Sequence, residues 1–65
     1  MLKRPFLMVV FVYDRLTGEM VCYYGNVKEV IRTTTEDDEQ LYVECENGYA
    51  VNINCRAYKI KIICA

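Results

Sequence analysis

A β-hairpin between residues 41 and 55 is the feature that most constrains this fold. Apolar and polar residues alternate on both sides of Asn47-Gly48, and a two-residue type I′ turn at such a pair is the strongest short-range hairpin signal. That turn, however, places Leu41 opposite Asn54 and leaves polar and apolar side chains mixed on both faces. Because strand side chains alternate with a period of two, the register decides which residues form the buried face.

A three-residue loop, Glu46 to Gly48, sorts the same residues cleanly when Gly48 is left-handed in a G1 bulge. Val43 then faces Val51, and we adopt this register. It also turns two of the cysteines inward, which predicts buried thiols. The inner face carries Leu41, Val43, Cys45, Tyr49, Val51, Ile53 and Cys55, and the outer face carries Tyr42, Glu44, Glu46, Ala50, Asn52 and Asn54.

The first third of the chain predicts another hairpin. The run Phe6–Tyr13 is β-branched and aromatic, which favours a strand, and Pro5 suits its start. Asp14 can accept from the backbone two residues on, Gly18 supplies a positive φ, and Glu19–Tyr24 returns as the second strand. Since the first strand is apolar on both faces, we expect both to be buried, either centrally in a curled sheet or against another copy.

The segment Val27–Thr34 is ambiguous. Its β-branched residues favour a strand, and Gly25-Asn26 before it suits a type II′ hairpin turn. The alternative is a short helix at about 27–33, with Asn26 as N-cap and Glu29 completing a capping box. Three consecutive threonines argue against a long helix, so the strand is the preferred interpretation.

The remaining segments complete the outline. Glu36 to Glu39 are four adjacent like charges and predict a solvated loop rather than a cation site, since they lack a glycine-containing calcium loop. Arg56-Ala57 predicts a short turn. Tyr58–Cys64 predicts a last strand, in which lysines alternate with apolar residues and protect an exposed face or edge.

These elements predict one all-β domain over residues 1–65, a small antiparallel meander of five or six strands curled into a barrel or sandwich. The alternative is an α+β fold with the short helix. The last strand is expected to pair near the first and so remove sheet edges. This connectivity, with the corner Cys55–Tyr58, resembles that of SH3-like small barrels; the resemblance is one of topology and implies no binding residues.

The residue types that are absent narrow the chemistry. The chain has no His, Ser or Trp, and therefore no Ser-His or Cys-His nucleophile pair. It also lacks a Cys-x-x-Cys motif, which with the missing His removes the usual zinc geometries. Only Cys55 has a basic neighbour, Arg56, and it points inward. We therefore expect no enzyme activity, no cofactor and no metal.

The four cysteines and the N-terminal residues indicate the cellular compartment of the protein. Free buried thiols in a reducing cytosol explain the cysteines best, although Cys22–Cys45 or Cys55–Cys64 disulfides stay open. Lys3-Arg4 and the apolar run after it resemble a signal peptide, but the run is short and no cleavage site follows. It is also too short to span a bilayer. The expectation is a cytoplasmic protein without a membrane segment.

Two candidate surfaces remain, and they favour different functions. Tyrosines are frequent, and an exposed tyrosine among polar groups is a plausible protein-recognition surface; its residues are Tyr42, Glu44, Asn52 and Asn54. The alternative is a basic surface that tracks a nucleic-acid backbone, formed by Lys28, Arg32, Arg56, Lys59 and Lys61. The net charge of −1 makes the nucleic-acid function the less favoured one.

The sequence therefore predicts a non-enzymatic module that binds a protein or itself, as a homodimer or higher oligomer. An accessory or inhibitor protein is one form this could take. The high apolar content, 54% in so short a chain, supports self-association because one thin core cannot easily hide it.

Overall fold

The computed structural model describes residues 8–64 as an all-β protein. The all-β prediction is confirmed, and Val27–Thr34 is a strand rather than a helix. The predicted strand start at Phe6, with Pro5 before it, lies outside the described residues. The six strands are β1 (Met8–Asp14), β2 (Met20–Tyr24), β3 (Val27–Thr34), β4 (Glu39–Cys45), β5 (Ala50–Asn54) and β6 (Tyr58–Cys64).

The strands form two antiparallel three-stranded sheets, in the orders β2-β1-β6 and β3-β4-β5. The chain changes sheet after β2 and again after β5, so those neighbours in sequence are not neighbours in a sheet. β6 pairs along the whole of β1, as expected for the last strand. Over residues 8–64 the strand pairing closes no barrel.

The register predicted for the second hairpin is confirmed. Val43 lies opposite Val51, and Leu41 opposite Ile53. Gly48 has a φ of 94°, in the left-handed region. The Cys45 N–H donates to the Tyr49 carbonyl at 2.8 Å, which closes the three-residue loop.

The first hairpin also forms, with one irregularity that the sequence did not predict. Asp14 Oδ1 accepts from the Leu16 N–H at 2.7 Å, and Gly18 has a φ of 80°, as expected for this turn. The β1–β2 register shifts between Val12 and Tyr13, however, so β2 carries a bulge. Such bulges increase the local twist of a pair of strands.

The type II′ turn predicted at Gly25-Asn26 is wrong. The positive φ belongs to Asn26, at 51°, and not to Gly25. Asparagine tolerates the left-handed region better than most residues, because its short side chain can bond locally. The connection does not close a hairpin; it carries the chain from one sheet to the other. The Asn26 carbonyl accepts from the Glu46 N–H at 2.9 Å, which ties this crossing to the second hairpin.

One small core lies between the sheets and holds residues of both. Among the residues predicted to face inward, Tyr49 is the exception, because 55% of its surface is exposed and its ring stacks on that of Tyr24. The described core contains no buried polar side chain. Its members are Val10, Val12, Val27, Leu41, Val43, Cys45, Ile53 and Cys55.

The described chain buries only one face of the first strand, and the predicted burial of its other face against another copy stays a prediction. β1 is central in its sheet, and Val10 and Val12 on its inner face are buried. Val9 and Phe11, on its outer face, are only half-buried because no layer covers them. The strand therefore has one face in the core and one apolar face toward solvent.

The acidic segment forms a loop, with one change at its end. Residues 35–38 turn the chain, and Thr35 N–H donates to the Asp38 carbonyl at 2.7 Å. Glu39 is not in the loop but begins β4, where its carboxylate pairs with Arg32. The prediction of a solvated loop is thus correct for residues 36–38.

Replacing Gly48 by alanine should lower the free energy of unfolding by about 1–2 kcal/mol, because a Cβ is disfavoured at a left-handed φ. No neighbour lies within 4 Å of the added Cβ, so the loss reports backbone conformation alone. Gly25→Ala is the matched control, since Gly25 also has open space but no positive φ. Urea denaturation of both variants checks this; equal losses would contradict the bulged register.

Candidate interaction surfaces

The residues predicted for protein recognition lie together on the outer face of the sheet β3-β4-β5. Tyr42 lies opposite Asn52, Glu44 opposite Ala50, and Gln40 opposite Asn54. The structure thus brings the four predicted side chains onto one sheet face. Whether they bind a partner stays a prediction. We call this surface the acidic face and define it by Glu29, Ile31, Tyr42, Glu44 and Asn52.

Glu29 adds a second negative charge to this face, and the sequence prediction did not include it. A bulge between Val27 and Glu29 shifts the β3 register so that Glu29 lies directly opposite Glu44. Two like charges in such a position destabilise a sheet. Lys28 relieves part of the repulsion, with its Nζ 3.9 Å from Glu44 Oε2. Regular alternation of inward and outward side chains along β3 does not predict that Glu29 faces Glu44, because the bulge shifts that alternation.

The same carboxylates act on Tyr42. Its hydroxyl donates to Glu44 Oε1 at 3.2 Å. Desolvation is the largest cause that raises the pKa of Tyr42, followed by the charge of Glu44, the hydrogen bond to it, and the charge of Glu29. Each cause disfavours the phenolate. The glutamates of the acidic face therefore favour the protonated form of Tyr42, whose hydroxyl donates a hydrogen bond.

Asn54 is less available for recognition than predicted. Its Oδ1 accepts from the Arg56 N–H at 2.8 Å and the Ala57 N–H at 3.4 Å. This Asx turn starts the connection to β6. Both asparagines are exposed, but Asn54 has this structural role in addition.

The outer face of the other sheet is apolar, aromatic and basic. Phe11 on β1 lies between Tyr23 on β2 and Lys61 on β6, and the Phe11 and Tyr23 ring centroids are 6.0 Å apart. Tyr23 is 61% exposed, a large fraction for an aromatic side chain. We call this surface the aromatic face and define it by Val9, Phe11, Tyr13, Tyr23, Lys59, Lys61 and Ile63.

A cleft borders the aromatic face where β1 meets the first turn. It has a volume of about 700 Å³ and is open to solvent. Arg15, Lys59 and Lys61 contribute cationic side chains to its lining, with Tyr13 and Asp14 beside them. Arg15 is held in place because its Nε donates to the Cys55 carbonyl at 3.0 Å.

The structure does not bring the predicted nucleic-acid residues onto one surface. Lys28 and Arg32 lie on β3, and each pairs with a glutamate. Arg56 lies in the turn before β6. Lys59 and Lys61 lie in the other sheet, on β6. Lys59 and Lys61 line the cleft together with Arg15, a further cation that was not among the predicted residues.

The cysteines are free thiols in different surroundings. Cys45 and Cys55 are buried, as predicted, while Cys22 is half-buried and Cys64 exposed. Cys22 Sγ lies 3.7 Å from the Tyr24 hydroxyl. This hydrogen bond, and then burial, raise the pKa of Tyr24 to about 12.

Neither a metal cluster nor a spanning helix occurs in the part of the chain that the structure describes. Residues 8–64 contain no group of three or more His, Cys, Asp or Glu side chains placed to hold a metal ion. Within the same residues no helix is long and apolar enough to cross a membrane. The predicted absence of a cofactor and of catalysis is not tested by this geometry.

Comparison with known proteins adds no family. No protein-family model, curated protein or solved structure is significantly similar to this chain.

Replacing Glu44 by glutamine should lower the pKa of Tyr42 toward its ordinary value, because the change removes the charge of Glu44 and weakens the hydrogen bond. A residual increase should remain, since desolvation persists. The ring carbon signals of Tyr42 in an NMR pH titration report this. Glu36→Gln, in the exposed loop, is the control and should leave the pKa unchanged; an unchanged value in Glu44→Gln would contradict the described geometry.

Proposed function

We propose that this protein is a non-enzymatic protein-interaction module that associates with other copies of itself through the aromatic face. The observation that carries the proposal is the outer side of β1. A central strand with half-buried Val9 and Phe11 leaves an apolar surface that the described chain does not cover. Exposed apolar patches on small soluble domains mark interaction sites.

The composition of the aromatic face supports contact with protein. Tyr23 and Phe11 offer large, rigid side chains, and aromatic residues are enriched at the energetic centres of interfaces. Ile63 extends the patch along β6, with 43% of its surface exposed. Lys61 lies beside Phe11 and provides a polar rim. An apolar centre with a charged border is the usual anatomy of a protein interface.

The remaining expectations belong to the same proposal. Free thiols suit a reducing compartment such as the cytoplasm. An accessory or inhibitor role would use the same surfaces. The resemblance to SH3-like small barrels remains a prediction about topology, and no part of the proposed interaction depends on it.

Nucleic-acid binding is a second candidate function, favoured by the cleft at the end of β1. Arg15, Lys59 and Lys61 line it together with Tyr13, and cations beside an aromatic ring suit a phosphate backbone and a stacked base. Binding of a single-stranded oligonucleotide that weakens steeply with salt would favour this function. The absence of retardation at low salt would remove it.

Tyr23→Thr should weaken self-association by about tenfold or more, because it removes an exposed ring from the proposed interface and keeps a good strand former. Leu16→Thr is the matched control, since Leu16 is 96% exposed but lies in the first turn and off the aromatic face. Light scattering across a concentration series of the full chain measures both.

The wild-type mass should rise with concentration in the micromolar range, and circular dichroism should confirm that both variants keep their strands. A wild-type protein that stays monomeric throughout would contradict the proposal. So would an equal effect of the two substitutions.

A further inference from the structure

The two outer faces of this protein are complementary in charge and similar in apolar character. The aromatic face contributes Lys59 and Lys61, whose cross-strand partners are Tyr13 and Phe11. The acidic face contributes Glu29 and Glu44, directly opposite each other. The two sheets share one core, so these faces lie on opposite sides of the molecule.

We propose that the aromatic face of one copy docks on the acidic face of the next, so that copies associate head to tail. This inference rests on the proposed self-association and identifies the surface that the aromatic face contacts on the second copy. Lys59 and Lys61 of one copy pair with Glu29 and Glu44 of the next. The occupant of each face is thus a second copy of this chain.

The spacing of the charges fits such a contact. Lys59 and Lys61 are two residues apart on one face of β6, which separates them by about 7 Å. Glu29 and Glu44 are cross-strand partners, whose Cα atoms are about 5 Å apart. Long lysine side chains span the difference. Two ammonium groups then meet two carboxylates within one contact.

The fold leaves the carboxylate pair with an unfavourable interaction that this contact removes. Lys28 is the cation that contacts Glu44 within the described chain, at 3.9 Å, and its side chain is 61% exposed. An exposed pair of this kind contributes little. Tyr42 donates a hydrogen bond to the same carboxylate but brings no charge. Additional cations from a neighbouring copy would relieve the repulsion between Glu29 and Glu44.

Apolar side chains lie beside the charges on both faces. Phe11 and Tyr23 are in the same cross-strand row as Lys61. On the acidic face, Ile31 and Tyr42 form the row next to the glutamates, and Ile31 is 46% exposed. Docking would therefore bury aromatic and aliphatic surface while the charges fix the orientation, which is how electrostatic complementarity acts at interfaces.

The geometry also determines what kind of assembly forms. A contact between two different faces is heterologous, and when those faces are on opposite sides of a molecule each added copy exposes a new face. Assembly then continues beyond the dimer. A contact of the aromatic face with itself would instead stop at two copies.

Charge reversal tests the proposal. Glu29→Lys with Glu44→Lys makes the acidic face basic, and Lys59→Glu with Lys61→Glu makes the aromatic face acidic. Each double variant should associate at least about tenfold more weakly than wild type, because like charges then meet across the contact. The variant that combines all four changes keeps the net charge of −1 and should regain association, since the charges are again complementary.

Matched controls separate the contact from global charge. Glu36→Lys with Asp37→Lys changes net charge as much as the reversal of the glutamates, but in the loop at 35–38, and should associate as wild type. Should the fourfold variant fail to fold by circular dichroism, an equimolar mixture of the two double variants carries the same test. The two double variants should associate with each other in the mixture, whereas neither should associate on its own.

The outcomes distinguish this inference from the proposed function. Glu29→Lys with Glu44→Lys behaving as wild type, with a mass that stops at the dimer, would overturn head-to-tail docking and leave self-association through the aromatic face intact. A fourfold variant, and a mixture, that both stay monomeric would also overturn it. A monomeric wild type would overturn both. Recovery of association by the fourfold variant, with masses beyond the dimer, is the expected result.

Discussion

The bulged loop at Gly48 is the constraint on which the rest of the structure depends. It sets the register of β4 and β5, and five of the eight buried core residues, Leu41, Val43, Cys45, Ile53 and Cys55, lie on this hairpin or at its end. A shift by one residue would turn that set outward and remove most of the core. The other sheet adds Val10 and Val12, and so depends on this inner face being in place.

Much of this fold follows from local patterns in the sequence. Alternation predicts five or six strands and six form, and Gly18 and Gly48 both have the positive φ that their turns require. The choice of strand over helix for Val27–Thr34 was correct because β-branched residues outweighed a weak capping box. These features depend on interactions within a few residues, which is why a single sequence reveals them.

The features that sequence reasoning missed depend on distant partners. The residues at Gly25-Asn26 are compatible with a hairpin turn, and only the pairing of β3 with β4, rather than with β2, shows that the chain changes sheet there. The bulge before Glu29 places two glutamates opposite each other, which alternation alone cannot predict. Asn54 was predicted as a recognition residue, but its side chain closes a turn whose direction is set by the other sheet. The sequence therefore places Tyr42, Glu44 and Asn52 on one sheet face but does not reveal Glu29 there.

The small core leaves much of both sheets at the surface. Residues 8–64 cover only one side of each sheet, so the apolar outer face of β1 is left without a second layer from this part of the chain. The lysines of β6 border that face, and the glutamates of β3 and β4 lie on the opposite side of the molecule. The proposed self-association joins rings that are bordered by charges and should therefore be sensitive to salt.

Both faces are proposed to contact other copies in solution, and backbone NMR spectra recorded over a dilution series provide the test. On dilution, amide signals of Phe11, Tyr23 and Lys61 should shift together with those of Glu29 and Tyr42, while buried Val10 and Val43 stay constant. Spectra that do not change with concentration, or shifts confined to residues outside the two faces, would contradict the account.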